Sequence, residues 1–150
     1  MEMRKAKLSD IALLVENRMA FVQAISVIGE PSTFRAQTEQ YFKEHLNDGS
    51  LLCYICVDEG RIISTCLLCI YTTIPIPSVV SGKAGLLLNV WTDERYRRQG
   101  LAARLISMLI EEARGMGVGK IVLDYTDEGL PLYQSLGFSQ CERCMEMRLV

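Results

Sequence analysis

Residues Asn89-Val90-Trp91-Thr92-Asp93-Glu94-Arg95-Tyr96-Arg97-Arg98-Gln99-Gly100-Leu101-Ala102-Ala103-Arg104 carry the chain from an apolar strand, through a basic turn, into a helix. Just ahead, Gly85-Leu86-Leu87-Leu88-Asn89-Val90 is an almost unbroken apolar run, the pattern of a strand buried on both faces. Behind it, Leu101, Leu105, Met108 and Leu109, flanked by Ala102, Ile106, Ile110 and Ala113, recur at helical spacing and predict a long helix with a wide apolar face. The turn therefore lies at a helix N-terminus. There the first backbone N–H groups lack intrahelical partners and the helix dipole is positive, so a phosphate or pyrophosphate can bind them directly. Gly100, without a Cβ, lets the backbone approach such an anion closely. A glycine-tolerant loop with solvated arginines would show the same residues, so the turn alone does not decide the matter.

A second segment does more. Arg97-Arg98-Gln99-Gly100-Leu101-Ala102 resembles the Arg/Gln-x-x-Gly-x-Gly/Ala motif of GNAT superfamily N-acetyltransferases, and Leu132-Tyr133-Gln134-Ser135-Leu136-Gly137-Phe138 resembles the Leu-Tyr-x-x-x-Gly-Phe segment near the end of that family's core. Leu8-Ser9-Asp10-Ile11 is also similar to the opening of its first helix. The resemblance implies an α/β (α+β) fold: a mixed, mostly antiparallel central sheet flanked by helices, its fourth and fifth strands splayed apart with pantetheine in the gap. It also implies acetyl-CoA as cosubstrate. The pyrophosphate would lie on backbone N–H groups of Arg98, Gln99, Gly100, Leu101, Ala102 and Ala103, and pantetheine would pair with the strand edge at Asn89, Val90 and Trp91. Tyr133 matches the family's tyrosine general acid, which protonates the departing thiolate. Many members carry an asparagine shortly before the Leu-Tyr segment; Thr126 occupies the comparable stretch here, followed by Gly129-Leu130-Pro131.

Composition is compatible with this reading and narrows it. One hundred and fifty residues suit a single domain able to bury a sizeable core. Hydrophobic residues at 49% against charged ones at 23% argue for a globular chain rather than a disordered one. A net charge of −2 argues against a dedicated nucleic-acid surface, and assigns Arg95, Arg97, Arg98 and Arg104 to a small polyanionic cofactor instead. Met1-Glu2-Met3-Arg4-Lys5 lacks an apolar signal region and no segment has the length of a membrane span, so a cytoplasmic protein without a membrane partner is expected. A homodimer is compatible with the resemblance.

Six cysteines fall into three Cys-x-x-Cys pairs, Cys53/Cys56, Cys66/Cys69 and Cys141/Cys144. The intervening residues contain neither glycine nor proline, whereas zinc knuckles need a tight turn there. In extended strands, residues three apart point to opposite faces, so the two central pairs cannot converge on one ion. The cysteines are accordingly expected to be buried small hydrophobes, with no metal site.

The remaining chain reads as a first strand over residues 1–7, a helix capped by Ser9 and running to about Ser26, and a second helix from near Thr33 to Asn47-Asp48-Gly49-Ser50. Residues 51–57 and 61–72 form an antiparallel hairpin across Asp58-Glu59-Gly60, and the prolines of Ile74-Pro75-Ile76-Pro77 start a loop that ends near Lys83. A short strand over residues 120–125, a helix over 129–136 and a final strand over 141–149 complete the expected order. His45 is expected to be a solvated surface residue, and Glu30, Asp93, Asp124, Asp127 and Glu128 are the carboxylates that can border a cleft. None is singled out as the general base, although Asp124 interrupts an apolar strand. Two functions follow: an N-acetyltransferase moving an acetyl group to a primary amine by direct attack in a ternary complex, or a non-catalytic CoA-binding or sensing module. Retention of Tyr133 favours the enzyme.

Overall fold

The computed structural model describes residues 1–141 and 144–150. Strands β1 (Glu2–Lys5), β2 (Leu51–Asp58), β3 (Arg61–Thr72), β4 (Lys83–Thr92) and β5 (Lys120–Val122) form one sheet in sequence order. The first three junctions are antiparallel, and only β4 and β5 run parallel. Helices α1 (Ile11–Ile25) and α2 (Pro31–His45) precede β2, α3 (Leu101–Gly115) links β4 to β5, and α4 (Leu130–Ser135) follows. No helix among the described residues is long and apolar enough to cross a membrane.

Alternation along the strands builds a core on each face of the sheet. Leu52, Tyr54 and Cys56 of β2 join Ile63, Cys66 and Leu68 of β3 under α3, whose Leu105, Ile106 and Leu109 are wholly buried. Leu51, Cys53 and Ile55 point the other way, against Leu14, Val15 and Met19 of α1 and Phe42 of α2. This double burial is why β2 reads as a continuous apolar run. It also splits the two central Cys-x-x-Cys pairs: Cys53 and Cys56 lie in opposite cores, as do Cys66 and Cys69. Cys141 and Cys144, expected to be buried, are exposed instead.

Two irregularities in the sheet shape everything that follows. Thr65 pairs with Trp91 while Leu67 pairs with Leu88, so Asn89 and Val90 together face Cys66 in a bulge. Asn89 absorbs the kink with a left-handed backbone, φ 52°, a region that asparagine tolerates better than most residues. On its other side, β4 pairs with β5 only at Ala84–Lys120, Gly85–Ile121 and Leu86–Val122. Beyond Leu86 the two strands separate, which is why β5 ends three residues short of its expected boundary.

Other boundaries differ for local reasons. Asp10, not Ser9, closes the start of the first helical segment: its carboxylate accepts from the Lys7 backbone N–H at 2.7 Å and holds Arg4 in a two-pronged pair at 2.7 and 2.9 Å. A 3-10 turn over Leu8–Asp10 consequently precedes α1. Helix α2 starts at Pro31, two residues before Thr33, because proline's fixed φ and missing N–H suit the first helical position. The final strand over 141–149 is not formed by the described residues there, and residues 142–143 lie outside them. Met145, Met147 and Leu149 alternate with polar residues as a strand would, yet all are exposed. Alternation supplies a face but not a partner for the backbone, and the strand requires both.

Helix α3 ties the turn to the core, so its burial is testable. Leu109→Ala should destabilise the fold by about 2–5 kcal/mol through lost transfer energy and the cavity left behind. Urea unfolding of the variant measures this; a loss below about 1 kcal/mol would contradict the packing described.

Candidate active site

The link between β4 and α3 is braced from within before it offers anything to a ligand. Asp93 accepts the Arg95 backbone N–H at 3.0 Å and pairs with the Arg95 guanidinium at 2.9 Å, starting a 3-10 turn over Glu94–Tyr96. These hydrogen bonds from Arg95 pull the Asp93 carboxyl down to about 2. Tyr96 donates to Asp58 at 2.9 Å, fastening the turn to the tip of the β2–β3 hairpin, and Arg97 donates to the Thr92 carbonyl at 3.2 Å. Of the four arginines assigned to a polyanion, Arg95 and Arg97 are therefore engaged within the turn. Arg98 and Arg104 stand exposed without a carboxylate partner among the described residues.

Past Arg97 the backbone opens. Arg98 and Gly100 both take left-handed conformations, φ 62° and 74°. Among the described residues, the backbone N–H groups of Arg98, Gln99, Gly100, Leu101, Ala102 and Ala103 have no acceptor; the helix ladder begins with Arg104 donating to Gly100 at 3.1 Å. A row of free donors in alternating conformations at the positive end of a 15-residue helix makes an anion-binding concavity. A Cβ built on Gly100 meets nothing within 4 Å, so the space before the turn is open. These residues fit a pyrophosphate.

Tyr133 lies on the same side of the sheet. It packs into the α3-side core with Val90 of β4 and Leu123 beyond β5, the residues flanking the gap, and its ring meets Phe138 edge to face at 5.9 Å. A Cβ at Gly129 would come within 3.1 Å of that ring, so the glycine makes room for it. The Tyr133 hydroxyl makes no hydrogen bond to the described residues, and burial raises its pKa above the ordinary phenol value. It is protonated at neutral pH.

Thr126 acts on its own segment. Its carbonyl accepts from Gly129 and Leu130, both at 3.0 Å, and its hydroxyl accepts from Gly129 at 3.2 Å, setting the start of α4. Asn89 and Trp91 belong to the opposite face. The Asn89 amide donates to Asn17 at 2.9 Å and accepts from Arg18 at 3.2 Å, leaving only its main chain at the strand edge. The candidate bases are scattered: Glu30, Asp124, Asp127 and Glu128 are exposed, and His45 stacks on Tyr41 at 4.2 Å with Ser50 hydrogen-bonded to its Nδ1 at 2.7 Å. A cavity of about 800 Å³ lies elsewhere, at the C-terminal end of α3 between Lys5, Leu46 and Glu112.

Sequence reasoning passed over Arg18. It stands four residues after Leu14 and four before Val22, so helical spacing puts a charged side chain on the buried stripe of α1. That misplaced charge was the available signal.

Comparison with known proteins converges on one family. Residues 19–138 match the acetyltransferase (GNAT) family. The chain is 36% identical over 92 residues to a glucosamine 6-phosphate N-acetyltransferase of Trypanosoma brucei brucei, covering 60% of this chain and 59% of that protein. It is 37% identical over 71 residues to an aminoglycoside N(6')-acetyltransferase type 1 of Serratia marcescens, covering 45% and 49%. The aligned regions thus span less than two thirds of these curated relatives. Among solved structures, a predicted acetyltransferase from Clostridium acetobutylicum, crystallised with acetyl-CoA, superposes with a TM-score of 0.87 at 26% identity, over 99% of this chain and 96% of that one. Matched by the family over most of its length and superposing on an acetyltransferase from end to end, the chain belongs to the GNAT acetyltransferases, the family whose cosubstrate is acetyl-CoA.

Proposed function

We propose that this protein is an acetyl-CoA-dependent N-acetyltransferase that acetylates a primary amine by direct attack in a ternary complex. The observation that carries this reading is the row of unpartnered N–H groups at residues 98–103, beside the edge of β4 that β5 leaves free. The pyrophosphate binds that row, with Arg98 adding charge. The pantetheine arm pairs with main-chain groups of Asn89, Val90 and Trp91, and Thr126 borders the arm from the far side of the gap.

Acetyl-CoA supplies an activated thioester carbonyl. The acceptor amine, unprotonated, forms the new C–N bond while the C–S bond breaks. The backbone N–H of Val90 or Trp91, re-aimed by the bulge, stabilises the oxyanion that develops on the carbonyl. Tyr133 gives its phenolic proton to the departing sulfur, and the proton released by the amine restores the phenol through solvent. Holding both reactants across the gap contributes much of the acceleration. The half-buried, unbonded Tyr133 hydroxyl favours an enzyme over a non-catalytic CoA-binding module, which has no use for a free acid there. Relatives named for glucosamine 6-phosphate and for aminoglycosides point to small amines, of opposite charge, as the acceptors to try first.

Two variants test the assignment. Gly100→Glu places a carboxylate in the open space before the turn and demands a positive φ of a residue that resists it. Calorimetric titration should find acetyl-CoA binding abolished, and unchanged affinity in a folded variant would refute the pyrophosphate site. Tyr133→Phe keeps the ring and its contact with Phe138, so melting temperature and acetyl-CoA affinity should hold. Its kcat and kcat/KM should fall together, roughly 10- to 10⁴-fold, because the interaction exists only as sulfur gains charge. Steady-state rates within about threefold of the parent would defeat the acid role.

A further inference from the structure

The sheet face opposite α3 carries a charge that the fold does not answer. Arg18 projects from the buried side of α1 to the bulge, where its Nη1 donates to Asn89 Oδ1 at 3.2 Å. Asn89 is itself fixed, 5% exposed, with its amide nitrogen donating to Asn17 at 2.9 Å. No carboxylate among the described residues pairs with Arg18: Glu16, two residues away, pairs with Arg35, and Asp10 with Arg4. Arg4, by contrast, is met by the carboxylate of Asp10. Burial lowers the Arg18 pKa from its ordinary value, yet a guanidinium remains charged in any protein setting.

We propose that Arg18 is the specificity residue for the acceptor and that the acceptor amine carries an anionic group, a carboxylate or a phosphate, which pairs with this guanidinium. The inference rests on the acetyltransferase reading, since it takes the bulge as the place of reaction. Three features support it. A partly buried guanidinium has several N–H donors, and one amide oxygen satisfies only one of them. The anchor is Asn89, the bulge residue adjoining Val90, so an anion on Arg18 lies a short molecular span from the N–H groups assigned to the oxyanion. Arg18 also approaches from the α1 side while the pyrophosphate turn opens on the α3 side, so the two anions do not compete. Planar two-point pairing with carboxylate or phosphate is what arginine does better than lysine. A polycationic amine would meet repulsion at the same place.

Binding, rather than turnover, separates this inference from the reading beneath it. Calorimetry with saturating CoA would compare glucosamine 6-phosphate with glucosamine, and phenylalanine with phenylalanine amide. At least one anionic member should bind about 10-fold or more tightly than its neutral counterpart, in line with a charge-assisted hydrogen bond; which pair shows it tells phosphate from carboxylate. Arg18→Gln should erase that preference while CoA affinity and the weaker neutral binding stay within about twofold, and Arg18→Lys should restore part of it. Inorganic phosphate titrated against the unaltered protein should compete with the preferred anionic ligand, a readout independent of any variant. Equal binding within both pairs, no binding by any of the four, or a preference that survives Arg18→Gln would overturn the proposal. If the preference holds but no amine is acetylated, the enzyme reading fails and the anion site stands.

Discussion

Opposite Cys66, β4 has one residue more than β3 can pair, and the chain accommodates the excess by turning Asn89 into a left-handed conformation. A bulge bends its strand and increases local twist. Three residues before that bend, the parallel ladder to β5 stops at Leu86–Val122. A continuous ladder would have satisfied the backbone groups of β4 and left no room between the strands. Broken, it leaves main-chain donors and acceptors at an interior edge, where only a ligand or water can satisfy them. The gap, the free edge and the redirected peptide groups at Asn89 and Val90 all follow from that mismatch.

Around this break the charges sort themselves by what already holds them. Asp93, Tyr96 and Arg97 use their polar groups to set the link into α3, so the chain arrives at Arg98 in one conformation rather than many. The free groups beyond are main-chain N–H donors, which would hold an anion without losing side-chain entropy. Tyr133 is a neutral phenol packed into the same core as Val90 and Leu123, its ring against Phe138. Arg18 stands across the sheet, a cation held by the Asn89 amide oxygen rather than by a carboxylate. In the proposed enzyme, one side of the gap would take the phosphates and the sulfur, and the other would present a positive charge to the acceptor.

Much of this was legible in the residues because it is local. Helical spacing from Leu101 onward, the apolar run into β4, the Asp58-Glu59-Gly60 turn and the prolines after Thr73 each act over a few residues, and each element formed where expected. The splay of β4 from β5 came from family resemblance, since no residue pattern in either strand announces where pairing stops. Contacts between distant segments were not legible. Arg18 and Asn89 are 71 positions apart, and neither sequence neighbourhood shows that the other completes it. The alternation of Met145, Met147 and Leu149 was legible as a strand face, but a strand also needs an edge to join, and that lies outside the segment itself. Ser9 lost to Asp10 as the helix-opening group because Arg4, brought near by β1, fixes the aspartate in place.

In the proposed enzyme the main-chain donors from Arg98 to Ala103 and the free edge of β4 together hold acetyl-CoA. Amide hydrogen exchange, followed residue by residue by NMR with and without saturating acetyl-CoA, addresses those very groups. Exchange at residues 98–103 and 89–91 should slow markedly on binding, while amides around the cavity at Lys5, Leu46 and Glu112 should stay unchanged. Binding that leaves residues 98–103 exchanging as before, or that protects the distant cavity instead, would contradict it.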